Sequence, residues 1–519
     1  MAFRDIPVWL ISRFMASTLK LDPALEGLEP IELWRQFDAI RRIPRPSLHE
    51  AGVRTHLVEL ACERGWESHM DEIGNLILRV PGRGRGQSST PLAIQGHLDM
   101  VCEKRPEVVH DFMQDPISLI RDRVEFRGRE RDILRAEGTT LGADNGIGCA
   151  AGLAIALTPE VDHPPLELLF TVDEERGMSG AMALTPEFLR ARRLLNFDAE
   201  AEGHVYLSCA GGRELHAKWE LDREERCSDD IALRVRVSHL RGGHSGVDIH
   251  EGRGNAIELL IQLLTAPEVE LEGVRLSTCN GGGRPNAIPR EAETWLWCAR
   301  AHAQRFAGAI EAAGRRLRDR FAEIDPELSV TVEELPAAEL DAVPGPVAAV
   351  TSRAILESLA QQSNGVLAWS SVIPGLVESS NNIGSITTEG DTMTLVCMAR
   401  SSKHGAIEAF QERCERSLEA SSAAVSFCHA FPGWEANVDA ELVQRAQGVY
   451  EDLFGRPVKL EAIHAGLECG VLGDRIPGLE MISFGPDIFD AHTPNESVVT
   501  ESVTNFWHFA KGLVAALCD

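Results

Sequence analysis

Short apolar runs of strand length recur along the chain: Leu92 to Ile94, Leu166 to Val172, Leu194 to Phe197 and Met481 to Phe484. Each gives way to Gly, Asp or Asn and then to helix-like sequence such as Ile147 to Leu157. This alternation of β and α predicts an open α/β sheet, in which the ligand crevice lies outside the carboxyl ends of the strands. Polar residues far apart in sequence can converge there.

From about 212 to 432 the pattern changes. Strand Ile231 to His239, helix Ala256 to Leu264, strands around Arg275 to Trp297, helix Gln304 to Phe321 and strand Leu328 to Glu333 follow in the order β-α-β-β-α-β. After the connection near Pro336 to Pro346 come a helix, strands Gly384 to Thr388 and Met393 to Met398, a helix from Ala406 and a strand ending near Phe431, which echo the first half. Helix and strand alternate again from Trp434 to His492, and a final apolar helix spans Val503 to Leu517. The expected organisation is an N-terminal extension (1–27), a first domain in two parts (28–211 and 433–519) and an α+β domain inserted between them (212–432). The extension precedes the first amphipathic helix, Ile31 to Arg42, as an extra surface helix or docking arm. PGRGRGQSST, Pro81 to Thr90, reads as a Gly-rich turn between two strands.

Length and composition, 519 residues with 44% hydrophobic and 25% charged, fit a globular protein of more than one core. A formal charge of -28 excludes nucleic acid or an anionic membrane as partner, because phosphate surfaces demand clustered Lys and Arg. The 12 cysteines contain no C-x-x-C pair, so they form neither a thiolate zinc finger nor a disulfide framework. The apolar run Val8 to Ile11 has no cleavage site, and no segment approaches a membrane span, so a cytoplasmic location is expected.

The chemistry gathers where strands run out: His97 in IQGHLDMV, Asp144 in LGADNGIG, Glu174 and Glu175 in FTVDEERGMSG, Asp198 in LNFDAE and His492 in FDAHTPNE. His97 and Asp99, one residue apart on a strand, share a face, where the carboxylate can fix the imidazole tautomer. Each has a blander reading: a surface pair for His97 and Asp99, an N-cap for Asp144, solvated strand ends for Asp173 to Glu175 and for Asp198 with Glu200. Together they supply carboxylate and imidazole ligands without thiolate, which suits hydrolytic zinc, cobalt or manganese centres, and a carboxylate-bridged pair favours hydrolysis. Trp434 and Gly281 to Gly283 read as packing and turn residues, and Cys102 as a core residue.

GHLDMV, GADNGIG, DEERGMSGA, NFDAE, GGHSGVDIHEGRGNA, GGGRPNAIPREAE, HAGLECG and DAHTPNE, in order from about residue 30 to the end, closely resemble the aminoacyl-histidine dipeptidase family. That family sits in the clan of di-zinc peptidases with carboxypeptidase G, peptidase T and aminoacylase. The resemblance implies an α/β, di-metal aminopeptidase-like catalytic domain with an inserted α+β lid. It implies two divalent metal ions, zinc by family, with manganese or cobalt as alternatives. Asp144 would bridge them, His97 and Asp198 completing one site and Glu175 and His492 the other. Asp99 would orient His97, and Glu174 would be the general base for a metal-bridged water. The peptide bond from Asp144 to Asn145 is expected to be cis. In the lid, His244 would donate to the oxyanion, Asn286 and Arg400 would hold the substrate backbone or carboxylate, and Glu468 would lie near the substrate amine. Without the resemblance, GGHSG is a turn with a solvent-facing His, NAIP a turn opening a strand, Arg400 a surface ion pair and HAGLECG a helix start. The implied substrates are small unblocked dipeptides, Xaa-His and β-alanyl-histidine among them, turned over by a monomer or homodimer. Alternatives are an N-acyl amino acid deacylase or carboxypeptidase of the same clan, or a non-catalytic binding relative. A metal phosphoesterase would require more phosphate-holding cations than Arg400 alone.

Overall fold

A computed structural model describes residues 20–126 and 128–518. The run Val8 to Ile11 and most of the expected N-terminal extension lie outside them. Its remainder is not a free arm: Leu25, in a short 3-10 turn Pro23–Leu25, is fully buried, and Asp22 pairs with Arg41 at 2.7 Å.

The chain divides into two compact units. The first holds the chain up to Leu207, Asn437–Glu461 and the chain from Val471 on; the second holds Ser208–Ala436 and Ala462–Gly470. The segment Ala462–Gly470, expected with the catalytic parts, thus groups with the second unit.

In the first unit the strands Leu166–Thr171, Leu92–His97, Arg193–Asn196 and Glu480–Ser483 lie side by side and parallel. The hairpin Glu67–Met70 and Leu76–Val80 adds to one side of this sheet antiparallel. Their apolar runs carry no alternation because both faces are covered: every residue of Leu92–His97 and of Leu166–Thr171 is buried. The turn Pro81 to Thr90 does not join paired neighbours, since Leu166–Thr171 lies between the strands on either side of it. Helix Ala143–Leu157 packs on Leu92–His97; Asp144 and Asn145 near its start have non-helical backbone angles, so its regular turns begin after the GADN segment, as the apolar periodicity from Ile147 suggests. Gly148 on this helix is required by close approach: a Cβ there would sit 2.3 Å from the Phe197 carbonyl oxygen. A separate antiparallel sheet, Ile488–Phe489, Ser497–Val499, Arg129–Ala136 and Leu119–Phe126, anchors the loop that carries His492.

The second unit is built around one large antiparallel sheet formed by two β-α-β-β-α-β halves. One half uses strands Asp230–Ser238, Val274–Gly282, Ala292–Ala299 and Ser329–Glu334 with helices Ala256–Leu264 and Arg300–Phe321. The other uses Gly211–Glu220, Val377–Glu389, Thr392–Ser401 and Ala424–Phe431 with helices Ala349–Ala360 and Ala406–Glu419. The halves join through Gly281 and Gly282 against Ile386 and Ser385. The doubling is the one the sequence pattern suggests, with one correction: the later half takes its first strand, Gly211–Glu220, from before the earlier half. One half is therefore inserted within the other, which hides the repeat from any fixed sequence period. A continuous core that includes Trp219, Leu233, Ile257, Leu260, Ile310 and Leu395 lies between sheet and helices.

Candidate metal centre and lid site

The first unit's strand ends bring the expected ligands together. Buried His97, last residue of its strand, points Nε2 at Asp144 Oδ1 (2.9 Å) and Asp198 Oδ1 (3.2 Å). The other oxygen of Asp144 faces His492 Nε2 at 3.0 Å, and that nitrogen is also 3.0 Å from Glu175 Oε2. Two ligand groups therefore share one carboxylate: His97, Asp144 and Asp198, and Asp144, Glu175 and His492. Ligands bonded to zinc at about 2.0 Å in a tetrahedron stand about 3.3 Å apart, close to these separations. Burial raises the pKa of both Glu175 and Asp198, whereas hydrogen bonds from His492 and His97, acting against burial, hold Asp144 well below the usual carboxylate range. Crowded buried carboxylates of this kind call for positive charge, and the donor set fits divalent cations. Glu174 joins His97 and Glu175 in a third such group. The bond from Asp144 to Asn145 is cis.

Asp99 holds the pieces in register. Its carboxylate accepts from the backbone N–H groups of Glu174 (3.0 Å) and Glu175 (3.1 Å) and from Ser47 Oγ (2.7 Å), and lies 3.4 Å from His97 Nδ1. A carboxylate on Nδ1 leaves Nε2 to face a cation. The same partners hold Asp99 down at about 2, against the upward push of burial.

In the second unit, His244 lies on the two-residue strand Gly243–His244, paired with Ala287–Ile288. Its N–H donates to Asp248 Oδ2 at 2.7 Å, while its Nδ1 accepts from the N–H groups of Gly246 (3.2 Å) and Val247 (3.0 Å). Those amides fix the tautomer, so Nε2 carries the hydrogen as a donor. Burial, reinforced by the charge of Arg400, lowers its pKa and keeps the ring neutral. Arg400 is not a surface residue: it is buried, its Nε has no hydrogen-bond partner among the described residues, and burial pushes its pKa down to about 10. Asn286 is exposed, and its carbonyl accepts from the Ser245 N–H at 2.8 Å. Glu468 is fully buried at the start of helix Glu468–Arg475.

Residues 93–516 match Peptidase family M20/M25/M40. This chain belongs to that family. As a member it is a metallopeptidase, a hydrolase of peptide bonds. The chain is 35% identical over 486 residues, 93% of its own length and 97% of the relative's, to the cytosol non-specific dipeptidase of Escherichia coli (strain K12). It superposes on the aminoacylhistidine dipeptidase from Vibrio alginolyticus with a TM-score of 0.86 and 34% identity, covering 94% of this chain and 97% of that one. Aminopeptidase PepT from Bacillus cereus ATCC 10987, at 15% identity and TM-score 0.53 over 95% and 100% of the chains, shares the fold.

Several supports of this M20 peptidase's centre escape sequence reading. Glu496 accepts from four consecutive backbone N–H groups, Leu141 to Asp144, at 2.7 to 3.2 Å. This seats the Asp144 turn. Arg45, buried, donates to the carbonyls of Leu98, Asp99 and Gly142, tying the His97 strand end to the same turn. Arg45 lies outside the strand-end motifs, whereas Glu496 closes the DAHTPNE motif of His492, whose acidic end was the available signal. In the second unit the missed partner is Ser380, whose Oγ lies 2.7 Å from His464 Nε2, and burial, then Arg400 and His244, pushes His464 down to about 3. Gly246 of GGHSG abuts this segment so closely that a Cβ would lie 2.2 Å from the His464 carbonyl oxygen. Cys102 is half-buried with Sγ toward the Met100 carbonyl, outside the core expected for it.

Proposed function

We propose that this M20 peptidase is a cytoplasmic, di-metal dipeptidase that hydrolyses unblocked dipeptides, Xaa-His and β-alanyl-histidine among them. The observation that carries the reading is Asp144, whose two oxygens each face a different histidine at 2.9 and 3.0 Å within two ligand groups. Likeness along nearly the whole chain to proteins named as dipeptidases supports the substrate class, and the name of the Escherichia coli relative supports the compartment. No helix among the described residues is long and apolar enough to cross a membrane.

His97 with Asp198, and Glu175 with His492, would hold the two ions, with Asp144 contributing to both groups. Bound divalent ions supply Lewis acidity to the peptide carbonyl and lower the pKa of the attacking water. Glu174, its backbone fixed by Asp99, would serve as the base that takes a proton from the attacking water and delivers it to the leaving amine. His244 offers a neutral Nε2–H to the oxygen that gains charge in the transition state. Arg400 receives the substrate carboxylate, a role supported by its buried guanidinium with no ion pair among the described residues. Asn286 contacts the substrate backbone, and Glu468 the free amine.

The test is hydrolysis of β-alanyl-histidine, leucyl-histidine and N-acetyl-leucine by chelated protein resupplied with zinc, manganese or cobalt. Metal-restored cleavage of the free dipeptides alone is the expected result. Cleavage of only the acetylated compound would move the chain to the deacylases, and silence with every metal would sink the catalytic reading.

A further inference from the structure

The second unit carries a group of side chains that peptide hydrolysis does not use. Along Gly211–Glu220, Leu215, Ala217 and Trp219 are buried in the core, so Glu214 and His216 stand on the opposite face of the sheet. On the edge strand Ala424–Phe431, Cys428 pairs directly across from Glu214 and Ser426 from His216, which sets Cys428 on that same face. His429, next along the strand, would ordinarily point the other way. Its φ of 49° and the register break between Cys428 and Phe431 turn it back.

The outcome is a convergence of four metal-ligating side chains. Glu214 Oε2 lies 2.8 Å from His216 Nε2, 3.0 Å from His429 Nδ1 and 3.7 Å from Cys428 Sγ. One donor atom from each of the four lies within 4.8 Å of every other. His216 and His429 lie within ion-pairing reach of Glu214, and the Cys428 thiol donates to it at 3.7 Å, so the four side chains are gathered around one point. Two imidazoles, one thiolate and one carboxylate make a complete four-coordinate set for zinc, of different composition from the thiolate-free ligands around Asp144.

We propose that Glu214, His216, Cys428 and His429 form a separate site for a zinc-class divalent cation, closed by four protein ligands and structural in kind. Its ligands tie the edge strand Ala424–Phe431 to its neighbour Gly211–Glu220, just where the pairing register breaks. A cation there holds the irregular end of the strand in place without touching the hydrolytic chemistry.

Cobalt(II) is the probe, because only a thiolate ligand gives an intense thiolate-to-cobalt charge-transfer band in the near ultraviolet, and the Asp144 ligands include none. The full-length protein, chelated and reloaded with cobalt, is expected to show the band and to hold one equivalent more than Cys428→Ser or His429→Ala. Circular dichroism checks that both variants fold, and His216→Ala serves as an independent third. Absence of the band from the wild-type protein, its persistence in Cys428→Ser, or equal cobalt content in wild type and variants would each overturn the proposal.

Discussion

The strand-end cluster of the first unit and the His244–Arg400 group of the second handle charge in opposite ways. Around Asp144 the supporting groups are buttressed, Asp99 by two amides, a hydroxyl and an imidazole and Glu496 by four amides, while the carboxylates themselves crowd together: burial and the charges of Asp144 and Asp198 push Glu200 up to about 8. Around Arg400 the reverse holds. A guanidinium is buried beside two histidines kept neutral, with no carboxylate paired to it among the described residues. The first region has a braced scaffold but a surplus of carboxylates that calls for cations, whereas the second has a surplus cation and stays incomplete until an anion arrives. On our proposal, the first is the metal centre and the second the seat of the substrate carboxylate.

The sharpest way to break this contrast is Glu174→Gln. It is expected to lower kcat on the order of 10²–10⁴-fold while both metal equivalents remain, measured by steady-state kinetics beside elemental analysis. Parallel loss of metal would make Glu174 a ligand rather than a base. Next, His244→Ala should lower kcat by about 10²–10³-fold with metal content unchanged, as befits a lost transition-state donor. If KM alone moves, the residue binds substrate and nothing more.

Arg400→Met should raise KM by about 10–100-fold for dipeptides, the loss of a charge-assisted contact. It should also raise the melting temperature, since it removes a buried charge without a partner. A fall in melting temperature would show that Arg400 supports the fold. The smallest effect concerns His464. Its folded pKa of about 3 lies below the ordinary 6.5, so the unfolded chain takes up a proton first as pH falls. The stability that this neutral ring contributes is present above about pH 6.5 and is lost progressively toward pH 3. Denaturant midpoints at neutral pH and at about pH 5 should therefore differ less in His464→Gln than in the wild type. An unchanged difference would remove His464 from the acid sensitivity.

Legibility in the sequence followed the kind of contact involved. His97, Glu175 and Asp198 could be found because a parallel sheet puts side chains at the carboxyl ends of apolar runs, whereas Asp144 and His492 follow strands of the antiparallel sheet and stood out through their motifs. Ser47 and Arg45 could not, because contacts to one carboxylate or to backbone carbonyls leave no period, and Glu496, though inside DAHTPNE, could not be assigned its four amides without the fold. The doubled second unit was visible as element order, yet the strand Gly211–Glu220 was not, because its partner half is interrupted by the insertion of the other. His244 and Arg400 could be named through the family resemblance alone. The neutral ring of the one and the unpaired burial of the other depend on neighbours distant in sequence.

By itself, then, the sequence determined the α/β frame, the doubled insertion and the candidate acidic and histidine residues, since these rest on local periodicity and on residue types with few alternatives. Only the tertiary structure decided that one carboxylate faces two histidines, that Glu496 seats its turn, that Arg400 is buried with no carboxylate paired to it among the described residues, and that Cys428 and His429 meet Glu214 and His216. Each of those depends on where chains cross at distances of a few ångströms, and no local pattern encodes that.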